Sequence, residues 1–176
     1  MSIDVRRRDS DASPFLGEQP RHMRDDLVVP DIWPEDERLW VPLDEGVWSR
    51  PLHFDVTHGQ YTHLMRVTRQ GIVARHRHTG PVFAQILKGT WHYLEHDWTV
   101  SAGGFAFEPP GETHTLVVPE GCTEMATLFQ VAGALIYVDP QGVPIGYDDV
   151  FTRLEKTQAH FEAEGVDPDY LQSLVR

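Results

Sequence analysis

Nine short runs between residues 47 and 140 constrain this chain most. They are VWSRPLHFDVTH, QYTHLMRVT, GIVARHRHT, VFAQILKG, TWHYLEH, WTVSAGG, FAFEPPGE, HTLVVPEG and EMATLFQVAGALIYVDP. Each is rich in β-branched or aromatic residues, and Gly, Pro or Asp signals separate them. A spacing of about 8–12 residues between such signals marks an all-β sandwich or barrel. None of the intervening segments is long enough for a crossover helix, which argues against a parallel α/β sheet.

The two ends read differently. Residues 1–20 are polar and turn-prone and read as a flexible arm. Residues 21–44 hold several prolines and two tryptophans without a helical period, so extended, packed segments are expected there, with a role at an oligomer interface. After residue 147 the pattern turns helical. Asp148 or Asp149 can cap a helix that Gly165 ends, with Val150, Phe151, Leu154 and Phe161 as its apolar stripe, and a second short helix follows Asp167. The expected organisation is an arm (1–20), a β domain (21–147) and C-terminal helices (148–176).

Charge narrows the partners. The formal net charge of −12 opposes binding to phosphate backbones, so nucleic acid is not an expected partner. No run approaches the ~20 apolar residues of a membrane span, and the N-terminus lacks an apolar signal-like core. Cys122 is the only cysteine, so no internal disulfide is possible. Together these favour a cytoplasmic protein.

The chemistry sits in HRHTGPVF, residues 76–83. Side chains at i and i+2 of a strand share a face, so His76 and His78 present adjacent imidazoles. A third histidine, His114, follows the rigid turn PPGET. Three imidazoles with zero or one carboxylate suit iron, nickel, manganese, zinc or copper.

Two spaced patterns carry a resemblance. Gly71-x4-His76-x-His78 with Gly89, and Gly103-x5-Pro109-x-Gly111-x2-His114, are similar to the two motifs of the cupin superfamily, G-x5-H-x-H-x(3,4)-E-x6-G and G-x5-P-x-G-x2-H-x3-N, the first opening one residue short. The resemblance implies a jelly-roll β-barrel in which His76, His78 and His114 converge on one metal. Two positions depart from the motifs: Val82 stands where the glutamate belongs, and Val118 where the asparagine does.

A replacement carboxylate can be sought by pairing. If Lys88-Gly89 is a two-residue hairpin turn, Val82 opposes Glu95, and directly opposed residues share a face. Glu95 is therefore the expected fourth ligand or catalytic base, and Glu108 a second candidate base. Trp91 and Tyr93 would share that inward face. With Phe105, Phe107 and Phe129 on flanking strands they are expected to line an aromatic substrate pocket.

Over a longer span, from about residue 15 to the C-terminal helix, the chain resembles the 2,4'-dihydroxyacetophenone dioxygenase family of cupins. The segments QPRHMRDDLVVPDIWPEDERLWVP, RHRHTGPV, KGTWHYLEHDW, FEPPGETHTLVVP and ALIYVDPQG carry it. This implies a non-haem iron enzyme (Fe2+ or Fe3+, with zinc or nickel as alternatives). It would use dioxygen to cleave an aromatic α-hydroxyketone to 4-hydroxybenzoate and formate. Cupins usually self-associate, so a homo-oligomer, dimer or tetramer, is expected. The rival readings are a β-diketone-cleaving cupin dioxygenase and a metal-binding cupin sensor.

Overall fold

The structure is a computed structural model describing residues 14–176. Most of the expected N-terminal arm, residues 1–13, lies outside them. A 3-10 turn, Glu37–Leu39, leads into twelve strands: β1 (Val41–Asp44), β2 (Val47–Asp55), β3 (Gln60–Val67), β4 (Gly71–His78), β5 (Val82–Lys88), β6 (Thr90–Tyr93), β7 (Thr99–Ser101), β8 (Phe105–Glu108), β9 (Thr113–Val118), β10 (Met125–Ala132), β11 (Leu135–Val138) and β12 (Pro144–Asp148). Two helices follow, α1 (Val150–Glu164) and α2 (Pro168–Ser173).

The strands form two six-stranded sheets, ordered β1-β2-β3-β10-β5-β8 and β12-β11-β4-β9-β6-β7. All paired strands in both sheets run antiparallel. This is the antiparallel jelly-roll arrangement that the resemblance to cupins implies. Strand β5 alternates as a half-buried strand must. Val82, Ala84 and Ile86 point in and Phe83, Gln85 and Leu87 point out. The two inner faces enclose one core that includes Phe54, Tyr61, Trp91, Leu116 and Met125.

The expected hairpin at Lys88-Gly89 does not form. β5 pairs with β10 and β8, whereas β6 pairs with β7 and β9, so the chain crosses between sheets at this point. Gly89 makes the crossing possible. Its φ is +71°, and a Cβ there would sit 2.3 Å from the Glu124 carbonyl oxygen. With no β5–β6 ladder, the opposition of Val82 and Glu95 is lost.

At the C-terminus, Asp149 caps α1 through a reciprocal pair of bonds with Thr152, and Gly165 ends it in the left-handed region. The buried face of α1, however, is Val150, Arg153, Thr157 and Phe161. Phe151, expected in the stripe, is exposed. A charged residue therefore takes a core position, which its partners explain below. In the N-terminal segment Trp40 is buried against Trp33 and under the Arg66 guanidinium, while most of residues 14–32 is exposed.

Candidate metal centre

Strand register brings the three histidines together. His76 on β4 lies directly opposite His114 on β9, and His78 is two residues along the same inward face. All three are buried. The His76 and His78 Nε2 atoms lie 3.1 Å apart, and those of His78 and His114 lie 2.7 Å apart. Metal–nitrogen bonds of about 2.1 Å at right angles would set neighbouring nitrogens about 3.0 Å apart. Two of the three spacings thus match neighbouring ligands of one ion, and the ligand atoms of all three histidines lie within 4.8 Å of one another.

A carboxylate stands beside two of the three imidazoles, and it is Glu108. Its Oε2 lies 3.0 Å from His78 Nε2 and 3.8 Å from His114 Nε2. Glu108 is buried, its near polar neighbours are the His78 imidazole and the Tyr93 hydroxyl, and no lysine or arginine among the described residues pairs with it. An ionised carboxylate left this way is costly unless a cation satisfies it. The residues present therefore fit a divalent metal. Glu108 on β8 is the cross-strand partner of Val82 on β5. A carboxylate does stand opposite the valine, then, but on β8, across a pairing between strands distant in the chain.

Glu95 is not part of this cluster. Continuing the β6–β9 register by two residues would set Glu95 level with His114, but β6 ends at Tyr93 and the chain turns outward. Exposed there, the Glu95 carboxylate accepts hydrogen bonds from the Thr115 backbone N–H (2.7 Å) and hydroxyl (2.8 Å). Burial would raise its pKa, but these bonds and Arg75 outweigh that and hold it below the usual value. It is an ionised surface anchor for β9.

The aromatic candidates divide. Tyr93 stacks on the His114 imidazole, centroids 3.6 Å apart and planes 8° from parallel, which fixes that ring. Burial and the adjacent Glu108 charge push the Tyr93 phenol well above its ordinary pKa, so it stays protonated. Phe129 and Tyr93 both line a cavity of about 520 Å³ that reaches His76, His78 and Glu108. Trp91 is fully buried in the core, its indole N–H donating to Thr127 Oγ1 at 3.0 Å. Phe105 and Phe107 are exposed with Phe83 on the outward face, because Glu108 takes the inward position of β8 and alternation turns Phe107 out. They do not line the pocket.

The electrostatics favour neutral imidazoles. Burial, and the neighbouring His78 and His114, hold the His76 pKa well below 6.5. Burial, with His78 and His96, lowers that of His114 to about 3. Neutral imidazole is the ligating form.

Sequence reasoning passed over three residues that line the same cavity: His63, Tyr137 and Arg153. Tyr137 on β11 is the cross-strand partner of His76, so it extends the inward row. His63 is buried and bonded to Ser49 Oγ through Nδ1 at 2.9 Å. Burial, with the Arg153 charge, lowers its pKa far below 6.5. As pH falls through 6.5 the unfolded chain takes up a proton here that the folded chain cannot, so stability is lost on acidification. The expected outcome is that His63→Gln loses less stability than the parent between pH 7.5 and pH 5.5, by roughly 1 kcal/mol in urea unfolding. Equal losses in both proteins would remove His63 from this account.

Fold and site together define a cupin barrel whose interior carries three histidines placed to hold a metal. The chain belongs to the ChrR Cupin-like domain family, whose model matches residues 31–135. Solved structures agree on the fold. An RmlC-like cupin protein from Ralstonia eutropha JMP134 is 27% identical with a TM-score of 0.70, the match covering 73% of this chain and 85% of that one. An acetylacetone dioxygenase from Acinetobacter johnsonii is 19% identical with a TM-score of 0.67, covering 84% and 99%. No protein of curated function matches the sequence. No helix among the described residues is long and apolar enough to cross a membrane.

Proposed function

We propose that this protein is a non-haem iron dioxygenase that cleaves the C–C bond of an aromatic α-hydroxyketone. The reaction is 2,4'-dihydroxyacetophenone plus dioxygen giving 4-hydroxybenzoate plus formate, with the bond between the carbonyl and hydroxymethyl carbons broken. One observation carries the reading: the three-histidine, one-carboxylate cluster opens into a 520 Å³ cavity instead of being sealed. A structural metal site is closed, whereas a catalytic one keeps positions open for substrate. Apolar walls from Leu43, Val47, Val131 and Leu135 suit an aromatic ring.

His76, His78 and His114 would hold the ion, with Glu108 beside them. Iron, when bound, would supply Lewis acidity and the electron exchange with dioxygen. The chain supplies the rest. Glu108, whose Oε2 lies 3.0 Å from His78 Nε2 and which lines the cavity, is the carboxylate that would accept a proton from the substrate's hydroxymethyl group. Tyr93 keeps its proton and holds His114 in place by stacking. The apolar walls exclude water from the reacting carbons. Self-association as a dimer or tetramer is part of the proposal, and the exposed outward row of Phe83, Phe105 and Phe107 supports it.

The test combines elemental analysis of purified protein with oxygen uptake on 2,4'-dihydroxyacetophenone and, separately, on acetylacetone. Iron near one equivalent, uptake on the first substrate and stoichiometric 4-hydroxybenzoate and formate are expected. Uptake on acetylacetone alone would move the reading to β-diketone cleavage. Stoichiometric zinc without uptake on either would move it to a metal-binding sensor.

A further inference from the structure

Arg153 is the least explained residue in the molecule. It projects from α1 into the interior, is 6% exposed and lines the same cavity as the histidines. Burying a guanidinium is expensive, and fully buried arginines are rare unless paired. One edge is paired: Nη2 donates to Tyr137 Oη at 3.2 Å and lies 2.9 Å from Asp148 Oδ2. Asp148 is shared, since its other oxygen accepts from Lys156. Apart from Tyr61, the Arg153 Nε and Nη1 atoms have no hydrogen-bond partner among the described residues. A guanidinium carries five N–H donors, and three of the five sit on Nε and Nη1. The Tyr61 ring lies 5.6 Å from the guanidinium carbon, and its buried hydroxyl can accept from one of these donors, which leaves the others unused.

The placement is not that of a simple strut. Glu108 lies on β8, one edge of its sheet, whereas α1 packs against β1 and β2 at the other edge of that sheet and against β12 of the second sheet. Tyr137 links the two regions. Its ring is 6.3 Å from that of His76, and its hydroxyl donates to Asp148 Oδ2 at 2.8 Å beside Arg153. A ligand held at the histidines and extending through the apolar cavity would have Arg153 as the strong donor of the far wall. A guanidinium fork suits oxygen acceptors with negative charge.

We propose that Arg153, oriented by Tyr137 and Asp148, is a specificity-determining residue that receives an acidic oxygen, phenolic or carboxylic, carried by the ligand at the end away from the three histidines. This deepens the functional reading above and rests on the cavity being its substrate site. It turns an aromatic-shaped pocket into one that selects rings bearing an acidic oxygen. Ligands without that oxygen leave the donors buried and unsatisfied, the situation in which binding sites discriminate most strongly.

The test is calorimetric binding of three probes that lack the hydroxymethyl group: acetophenone, 4-hydroxyacetophenone and 4-acetylbenzoate. The purified protein should bind at least one of the two acidic probes tenfold or more tighter than acetophenone, and the preferred arm tells phenol from carboxylate. Arg153→Met should reduce that preference to about twofold while acetophenone affinity changes less than threefold. A merely structural role would weaken all three probes alike. Because Arg153→Met leaves Asp148 with only its Lys156, Tyr137 and Thr152 contacts, Arg153→Lys serves as the second variant. It keeps the charge without the fork and should lose at least threefold of the preference. No preference in the parent protein, or one unchanged in the folded variant, overturns the assignment. Oxygen uptake is read separately: a probe preference without turnover of 2,4'-dihydroxyacetophenone leaves the Arg153 assignment standing and removes the dioxygenase.

Discussion

His78→Ala is expected to lose bound metal and oxygen uptake together, each by more than about a hundredfold, because removing even an outer partner of a ligating histidine typically costs 10–100-fold. His78 is the centre of the cluster. Its Nε2 lies 2.7 Å from that of His114, 3.1 Å from that of His76 and 3.0 Å from Glu108 Oε2. The alanine variant leaves two imidazoles and a carboxylate with a gap among them. Fold should survive, since two six-stranded sheets and their shared core do not depend on one buried imidazole. Elemental analysis after desalting and an oxygen electrode measure the two losses. His92→Ala, on the opposite face of β6 from Tyr93, is the control and should retain both. Full metal in His78→Ala would mean the ion sits elsewhere.

The second large effect separates two glutamates. Glu108→Gln should cut turnover by about a hundredfold or more, the scale on which a positioned proton acceptor acts. If Glu108 also ligates, metal content falls with it, and elemental analysis tells the two roles apart. Glu95→Gln should do neither. It replaces a carboxylate bonded to Thr115 by an amide that keeps one acceptor, so the expected cost is about 1 kcal/mol of stability, read by urea unfolding. Metal lost from Glu95→Gln with full activity in Glu108→Gln would reverse the placement of both residues.

Why Glu95 and not Glu108 looked right in the sequence is a matter of strand pairing. Glu95 follows Val82 at a distance that a tight hairpin would bring opposite it, and Lys88-Gly89 has the composition of such a turn. The left-handed glycine is real, with φ +71° at Gly89, but it serves a passage from one sheet to the other. Local turn chemistry is the same for both uses. Only the partners of β5, which are β10 and β8, decide between them. The same limit misplaced Phe105 and Phe107. Their alternation with Glu108 was visible, but which parity faces inward depends on the sheet they join. In α1 the apolar residues suggested a face through Phe151, and the buried face instead runs through Arg153. Nothing local announces a buried arginine. Its partners Tyr137 and Asp148 come from β11 and β12, and they make the burial affordable.

By itself the sequence determined the period-two strands, the glycine and proline breaks, the cap and stop of α1, and the three histidines at i, i+2 and after a rigid turn. These are local properties, set by backbone sterics and side-chain alternation within a few residues. The tertiary structure alone decided which carboxylate meets the imidazoles, which aromatics line the cavity, and that a guanidinium stands in its wall. Each of those depends on pairing between strands distant in sequence. There the free energy of burying one face against another, summed over both sheets, selects a register that no short stretch of chain encodes.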